Sequence, residues 1–226
     1  MRLGVLFSGG KDSILALYKA MEKEDVVCLI TVISDNKESY MFHTPNIHIT
    51  EYQADSIGLP LVTIRTAGVK EEELKELRRV IEMAKEKFEI DGIVAGTVES
   101  VYQATRIQRI CDSLGLWCFN PLWQKNQLDI LREVVELGFD VVITGVFAEP
   151  FDSSWLGRKI NSKTIDELKK LSEIYKISPA GEGGEFETTV LDGPIFKKRL
   201  EVKGFSINFS KGSGIMEIKK LELKEK

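Results

Sequence analysis

A short stretch near the N-terminus constrains the fold of this chain more than any other part of it. Residues 5–20, VLFSGGKDSILALYKA, set two glycines and a lysine between an apolar run and a segment with helical apolar spacing. Gly9 and Gly10 lack a Cβ, so the backbone can turn sharply and bring its N–H groups close to another molecule. The start of the helix adds unpaired N–H groups and the positive end of its dipole. The stretch therefore predicts a strand, a loop and a helix that together bind an anion such as phosphate.

Further strand-like runs alternate with amphipathic segments up to about residue 146, which is the pattern of an open parallel sheet covered by helices. One such segment, residues 70–88, places its apolar residues on one face and its charges on the other, so it predicts a covering helix. The anion-binding loop follows the first strand, so a ligand that carries phosphate is expected at the carboxyl edge of the sheet. The predicted strands are 3–7, 26–33, 60–65, 92–96 and 140–146.

The sequence changes character after Val146. An irregular stretch leads into a helix over 164–177, for which Thr164 and Glu167 form a predicted capping box. Three strands are then predicted over 186–193, 199–210 and 215–224. We therefore expect an α/β nucleotide-binding domain over residues 1–146 and a smaller α+β domain over residues 147–226.

Composition narrows the class of protein. The 226 residues are 43% hydrophobic, which is enough for a packed core, and their net charge of −4 provides no overall positive field for nucleic acid. The chain runs directly into its first strand and has no apolar run of about 20 residues, so we expect a soluble, cytoplasmic protein. Cys28, Cys111 and Cys118 contain no C-x-x-C pair and are interpreted as buried thiols rather than redox groups.

The glycine loop is not the common phosphate loop of nucleotide hydrolases. That loop requires a glycine five residues before the second glycine and Ser or Thr after the lysine, whereas Val5 precedes Gly10 and Asp12 follows Lys11. The sequence SGGKDS instead resembles the pyrophosphate loop of the N-type ATP pyrophosphatases. That resemblance implies a Rossmann-like sheet of the HUP type and cleavage of ATP between its α- and β-phosphates. The implied ATP-binding residues are Ser8, Gly9, Gly10, Lys11, Asp12 and Ser13.

Nearly the whole chain resembles one branch of these enzymes, the diphthine–ammonia ligases. The most specific shared block is GEGGEFET at 181–188, because its three carboxylates around a glycine pair have no simple packing role. The other blocks are SYMFHTPN at 39–46, SVYQATRIQRICDSLGL at 100–116, PLW at 121–123 and WLG at 155–157.

The resemblance implies amidation of diphthine, a modified histidine of translation elongation factor 2. A carboxylate of diphthine attacks ATP, pyrophosphate leaves, and ammonia displaces AMP from the acyl adenylate. Lys11 and the loop amides suit the pyrophosphate. Asp12 is expected either to help bind Mg²⁺ or only to cap the helix.

Arg106 follows Tyr102 by four residues, so the two share a helical face if that helix has begun. Arg106 is interpreted as a ligand of the α-phosphate or of the acceptor carboxylate, with a surface salt bridge as the alternative. Tyr102 is expected at the acceptor. Of the two histidines, His43 and His48, the first lies in a shared block, where a loop hydrogen bond is favoured over acid–base catalysis.

Glu182, Glu185 and Glu187 are expected to gather ammonium, to deprotonate it or to face the quaternary ammonium of diphthine, with Glu185 as the member that acts on the nucleophile. The alternative is that some of them only cap turns. Aromatic side chains can attract the trimethylammonium group through their ring faces, Trp155 first among them, although each ring taken alone is more simply explained as part of the core. The other aromatic candidates are Trp123, Phe147 and Phe186.

Two other functions compete with this interpretation. An ATP-dependent tRNA-modifying enzyme of the same fold would need a basic surface and usually cysteine pairs, which the sequence lacks. A sensor that binds ATP or AMP without turnover would have no use for the carboxylates of GEGGEFET.

Overall fold

The computed structural model describes residues 1–36 and 45–226. These residues form two compact units, an N-terminal unit over Met1–Trp123 and a C-terminal unit over Gln124–Lys226. In the described part of the chain, no helix has the length and hydrophobicity needed to span a bilayer.

The N-terminal unit is built on a parallel sheet whose five described strands run in the order β3-β2-β1-β4-β5. The strands are β1 Arg2–Leu6, β2 Asp25–Ser34, β3 Leu61–Thr66, β4 Gly92–Val94 and β5 Trp117–Phe119. The helices between them are α1 Lys11–Met21, α2 Ile49–Ile57, α3 Glu73–Phe88 and α4 Val101–Leu114. This arrangement confirms the predicted open α/β fold.

Helices cover the sheet because each has one apolar face. Helix α3 buries Leu77, Val80, Ile81 and Ala84 in a cluster that also includes residues of β2, β3, β4 and α4. Most of its charged residues lie on the opposite face, as the periodicity of this segment predicts, but Glu73 at its start is buried. The helix ends at Phe88 and is followed by Glu89 in a left-handed conformation.

The strand order reverses between β1 and β4, which are neighbours in the sheet. From β1 the chain moves to β2 and β3 on one side, and then crosses to β4 and β5 on the other side. In open parallel sheets this reversal leaves a crevice at the carboxyl ends of the two central strands, where ligands bind. The crevice is bordered by the loop after β1 and by the segment that follows β4.

The C-terminal unit contains helices and an antiparallel sheet whose strands run in the order β7-β6-β9-β8. Its strands are β6 Asp140–Val146, β7 Phe186–Asp192, β8 Lys198–Ser210 and β9 Ser213–Glu225. Its helices are α5 Gln127–Glu136, a short 3₁₀ helix Ser153–Trp155 and α6 Ser162–Tyr175. The three predicted C-terminal strands and the helix before them are confirmed.

The structure differs from the sequence prediction at the join between the units. The run 140–146 was assigned to the parallel sheet, but it is β6, which pairs antiparallel with β7 and β9. Since β6 is a buried central strand, its continuous apolar sequence resembles that of a parallel strand. The division between the units accordingly lies after Trp123, before the predicted boundary at 146. Strand β5 was missed because it is a three-residue edge strand in which no residue is buried, unlike the equally short β4.

Helix α6 begins two residues before the predicted start. Its N-cap is Asn161, whose Oδ1 accepts the backbone N–H of Thr164 at 3.0 Å. The predicted capping box of Thr164 and Glu167 is therefore wrong. Glu167 instead accepts a hydrogen bond from Nη2 of Arg158 at 2.6 Å.

Candidate functional site

The loop between β1 and α1 depends on a glycine in the left-handed conformation. Gly9 has φ +77°, and its carbonyl accepts a hydrogen bond from Nε2 of Gln53 at 2.9 Å. Gln53 lies on α2 and is fully buried. A Cβ at Gly9 would lie 2.2 Å from Oε1 of Gln53, so a larger residue would displace the loop or the amide. Helix α2 thus fixes the loop in position.

The two serines of the loop stabilise it through hydrogen bonds within the loop. Oγ of Ser13 accepts the backbone N–H of Ser8 at 3.3 Å and donates to the carbonyl of Gly10 at 3.0 Å. Gly10 is the N-cap of α1 and, having no side chain, makes no side-chain cap of the first turn. The start of α1 therefore keeps the features of an anion-binding helix N-terminus.

Lys11 and Asp12 form an ion pair at the start of α1. Nζ of Lys11 lies 2.8 Å from Oδ2 of Asp12, and Lys11 is only 4% exposed. The other oxygen, Oδ1 of Asp12, is buried and has no hydrogen-bond partner among the described residues. Asp12 does not cap the helix, because the N-cap is Gly10. A buried carboxylate oxygen that lacks a partner suits a divalent cation such as Mg²⁺.

Mg²⁺ bound to a nucleotide needs only one or two carboxylates, because phosphate oxygens and water complete its octahedron. The described residues contain no cluster of three or more His, Cys, Asp or Glu side chains able to hold a metal. The single free oxygen position that Asp12 offers fits a Mg²⁺ site in which a bound nucleotide provides most of the other ligands.

Gly96, two residues after β4, touches the start of α1 and was missed as a site residue. A Cβ at this position would lie 2.7 Å from the backbone carbon and oxygen of Asp12 and 2.8 Å from the backbone nitrogen of Ser13. The segment after β4 therefore passes against the first turn of α1. The glycine is visible in the sequence, but only the fold shows what it approaches.

Tyr102 and Arg106 lie together on α4, as their spacing predicts. Cζ of Arg106 is 3.4 Å from the centroid of the Tyr102 ring. Both side chains hold Oε1 of Glu71, by a 2.9 Å bond from the Tyr102 hydroxyl and a 2.9 Å bond from Nε of Arg106. A second nitrogen of Arg106, Nη2, also pairs with this oxygen. Lys70 lies near the same ring, with Nζ 5.4 Å from its centroid.

These contacts shift the pKa values of Glu71 and Arg106 in the directions expected of an ion pair. The hydrogen bonds from Arg106 and Tyr102 lower the pKa of Glu71, and the bond to Glu71 raises the pKa of Arg106. Burial, followed by the bond to Glu71, raises the pKa of Tyr102. Glu71 itself has a left-handed backbone, φ +67°, which is uncommon for a residue with a side chain. Arg106 therefore binds a carboxylate in this structure, and that carboxylate belongs to the protein.

In the C-terminal unit, the GEGGEFET segment forms a turn that leads into β7. Glu185 is at the centre of this turn, because its Oε1 accepts the backbone N–H of Ser178 at 2.7 Å and its Oε2 accepts that of Gly183 at 2.9 Å. Gly181 and Gly184 adopt the left-handed conformation that the turn requires. Turn capping, which was the alternative to a catalytic role, is thus an observed function of Glu185. Glu182 and Glu187 are half-buried.

The aromatic candidates differ in how much of their rings is accessible. Trp155 is 7% exposed, and the guanidinium carbon of Arg158 lies 4.0 Å from its ring centroid. Phe186 is 3% exposed and packs edge-on against Phe151. Phe147 is 36% exposed. Trp123 is half-buried at the end of the N-terminal unit.

The remaining candidates are a histidine pair and the cysteines. His43 lies outside the described residues, and His48 is exposed immediately before α2. Cys28 and Cys111 are buried as predicted, and burial raises the pKa of Cys28 to about 12. Cys118 is half-buried, and a hydrogen bond from Cys111 lowers its pKa.

Comparison with known proteins gives matches over both units. Residues 1–118 match the family model of the diphthamide synthase N-terminal domain, and residues 126–223 match that of the diphthamide synthase C-terminal domain. The chain is 34% identical to a diphthine–ammonia ligase of Rattus norvegicus over 225 residues, which cover 89% of this chain and 83% of that protein. The identity and both coverages are the same for the diphthine–ammonia ligase of Homo sapiens.

A longer relative, the diphthine–ammonia ligase of Schizosaccharomyces pombe, is 30% identical over 217 residues, which cover 88% of this chain and 36% of that protein. The two domain models match in the same order as the two units of the structure. The chain belongs to the diphthamide synthase family.

Proposed function

We propose that this protein is an ATP-dependent ligase that converts diphthine on translation elongation factor 2 to diphthamide, with AMP and pyrophosphate as the other products. The observation that carries the proposal is the loop after β1, in which Gly9 is fixed by Gln53 and Lys11 is buried at the start of α1. This loop has the geometry for a polyphosphate, and the relatives of the chain are named for the ligase reaction.

The reaction consists of two displacements. In the first, a carboxylate oxygen of diphthine attacks the α-phosphorus of ATP, the bond from that phosphorus to the oxygen bridging the β-phosphate breaks, and pyrophosphate leaves. In the second, the ammonia nitrogen attacks the acyl carbon, AMP leaves with the bridging oxygen, and the nitrogen releases a proton. Both steps depend on orientation and on the stabilisation of negative charge.

The residues of the N-terminal unit have roles in the first displacement. The buried ammonium of Lys11 and the loop amides stabilise the charge that develops on the departing pyrophosphate. Arg106 holds the α-phosphate or the acceptor carboxylate, since its fork already binds a carboxylate and Glu71 can be exchanged for the substrate group. Oδ1 of Asp12 would hold Mg²⁺, which would neutralise charge at the phosphates when bound.

The GEGGEFET segment acts in the second displacement. Each oxygen of Glu185 accepts one backbone N–H, which leaves each with further acceptor capacity for ammonium or for its released proton. Glu185 therefore both shapes the turn and acts on the nucleophile. Glu182 and Glu187, on either side of it, add negative charge that favours cationic reactants.

Product analysis tests this function. ATP, ammonium and elongation factor 2 carrying diphthine are incubated with the protein, and the nucleotides are separated by chromatography. The proposal predicts AMP and pyrophosphate in amounts that depend on the acceptor. ADP and orthophosphate as the main acceptor-dependent products would contradict it, and a nucleotide sensor would release neither pair.

A further inference from the structure

Phe147 and Glu187 share one face of the antiparallel sheet in the C-terminal unit. Glu187 pairs with Gly145 in the register of β6 and β7, and the N–H of Phe147 donates to the carbonyl of Glu185 at 2.8 Å. Residues two apart on a strand, and residues opposite each other on antiparallel strands, point to the same side. Gly145, Phe147, Glu185 and Glu187 therefore form one patch.

The opposite face of the same strand pair is buried. Val146 and Phe186, which alternate with the patch residues and pair with each other, are 0% and 3% exposed. Phe147 is 36% exposed, which is unusual for an aromatic ring at the end of a buried strand. The patch is thus the accessible end of this strand pair, because Val142 and Thr189, which pair with each other farther along, are 5% and 4% exposed.

The ring of Phe147 folds back over Gly145 toward Glu187. A Cβ at Gly145 would lie 2.7 and 2.8 Å from Cε2 and Cζ of Phe147, and 3.4 Å from Cβ of Glu187. A side chain at this position would push the ring away. The glycine therefore allows an aromatic ring and a carboxylate-bearing side chain to lie next to each other on an accessible surface.

From this juxtaposition we infer that Phe147 and Glu187 form the subsite for the trimethylammonium group of the acceptor, an inference that rests on the proposed function. A quaternary ammonium has no N–H to donate, so hydrogen-bond acceptors alone cannot orient it. An aromatic face with a nearby negative charge binds such a group by cation–π and charge attraction. Trp155 does not serve, because it is buried and the guanidinium of Arg158 lies over its ring.

With this subsite, the glutamates of the GEGGEFET segment have different roles. Glu187 and Phe147 hold the part of the acceptor that does not react, while Glu185 faces the smaller, hydrogen-bonding ammonium. Binding of this remote group then adds affinity for the acceptor without taking part in the reaction.

A titration with tetramethylammonium chloride, followed by NMR on the full chain, tests the subsite without requiring turnover. We expect saturable shifts of the Phe147 and Glu187 amides that sodium chloride does not produce. Phe147→Ala should weaken tetramethylammonium binding by about tenfold, whereas Phe147→Trp should retain it. Phe205→Ala is the matched control, because Phe205 is 55% exposed on β8, two strands away from β6 in the sheet. Equal titration of wild type and Phe147→Ala would overturn the inference.

A kinetic comparison separates failure of the subsite from failure of the proposed function. The acceptor carrying a trimethylammonium is compared with the same acceptor carrying a primary ammonium. If wild type amidates the trimethylated acceptor, Phe147→Ala should raise its KM by about tenfold and raise the KM of the primary ammonium form less, because a primary ammonium keeps its hydrogen bonds to carboxylates. Equal KM values in wild type and variant would contradict the subsite alone. A wild-type enzyme that binds tetramethylammonium at the patch but amidates neither acceptor would leave the subsite standing as a cation site and would contradict the proposed reaction.

Discussion

Arg106 forms an ion pair with Glu71 through the guanidinium group that we expect to bind substrate. Nε of Arg106 donates to Oε1 of Glu71 at 2.9 Å, and Tyr102 donates to the same oxygen. The carboxylate of Glu71 therefore lies where we expect the acceptor carboxylate or the α-phosphate to bind. The proposed function therefore predicts that the substrate group replaces Glu71.

This exchange makes Arg106 the first residue to test. Arg106→Ala should lower kcat/KM for amide formation by about a hundredfold, because a charged hydrogen-bonding group is lost from the reacting centre. Arg78→Ala is the control, since Arg78 forms a comparable exposed pair with Glu82 on α3. Steady-state kinetics that show equal kcat/KM in both variants would reduce the Arg106 pair to a surface salt bridge.

Lys11 should be essential for ATP binding. Lys11→Ala removes a buried ammonium next to the loop amides, so we expect ATP affinity to fall by about 10- to 100-fold, the range for a hydrogen bond to a charged group. Lys19→Ala, in the last turn of the same helix, should bind ATP as wild type does. Isothermal calorimetry provides both values, and circular dichroism checks that the fold persists. Unchanged affinity in Lys11→Ala would refute the location of the phosphates.

A side chain at Gly96 should destabilise the protein. Gly96→Ala places a Cβ 2.7 Å from the backbone of Asp12, so the start of α1 must shift. We expect a loss of about 1–3 kcal/mol in the free energy of unfolding, together with weaker ATP binding. Gly204→Ala is the matched control, because its Cβ would meet Cβ of Lys220 at an ordinary 3.6 Å. Denaturant unfolding measures the difference, and equal stabilities would show that the segment after β4 does not restrain the loop.

Glu185 should affect amide formation but not ATP binding. Glu185→Gln keeps the size of the side chain and one oxygen that can accept a backbone N–H, but removes the negative charge. We expect amide formation to fall by about a hundredfold while ATP affinity stays at the wild-type value. Ammonium-dependent turnover at the wild-type rate would leave Glu185 with its turn-capping function alone.

The sequence is most informative where neighbouring residues interact. SGGKDS predicts a strand, a loop and a helix because Gly9, Gly10 and the first turn of α1 are adjacent in the chain, and the structure has this unit. The spacing of Tyr102 and Arg106 predicts their shared face for the same reason. Both predictions need only the local geometry of a turn and a helix.

The missed features depend on contacts between distant segments. Nothing near Arg106 in the sequence points to Glu71, which reaches it from the turn before α3. The approach of Gly96 to Asp12 likewise requires β1 and β4 to be neighbours. Strand β6 was misassigned because burial on both faces gives the same apolar run in a parallel and in an antiparallel sheet. Pattern alone therefore locates elements better than it assigns their partners.

Mass spectrometry of the acceptor tests the central claim most directly. Elongation factor 2 carrying diphthine is incubated with this protein, ATP and heavy-nitrogen ammonium, and the modified peptide is then sequenced by fragmentation. The account predicts one labelled nitrogen in place of the carboxylate hydroxyl of diphthine, with one AMP and one pyrophosphate formed for each amide. An unlabelled diphthine peptide after complete consumption of ATP, or label without formation of AMP, would contradict it.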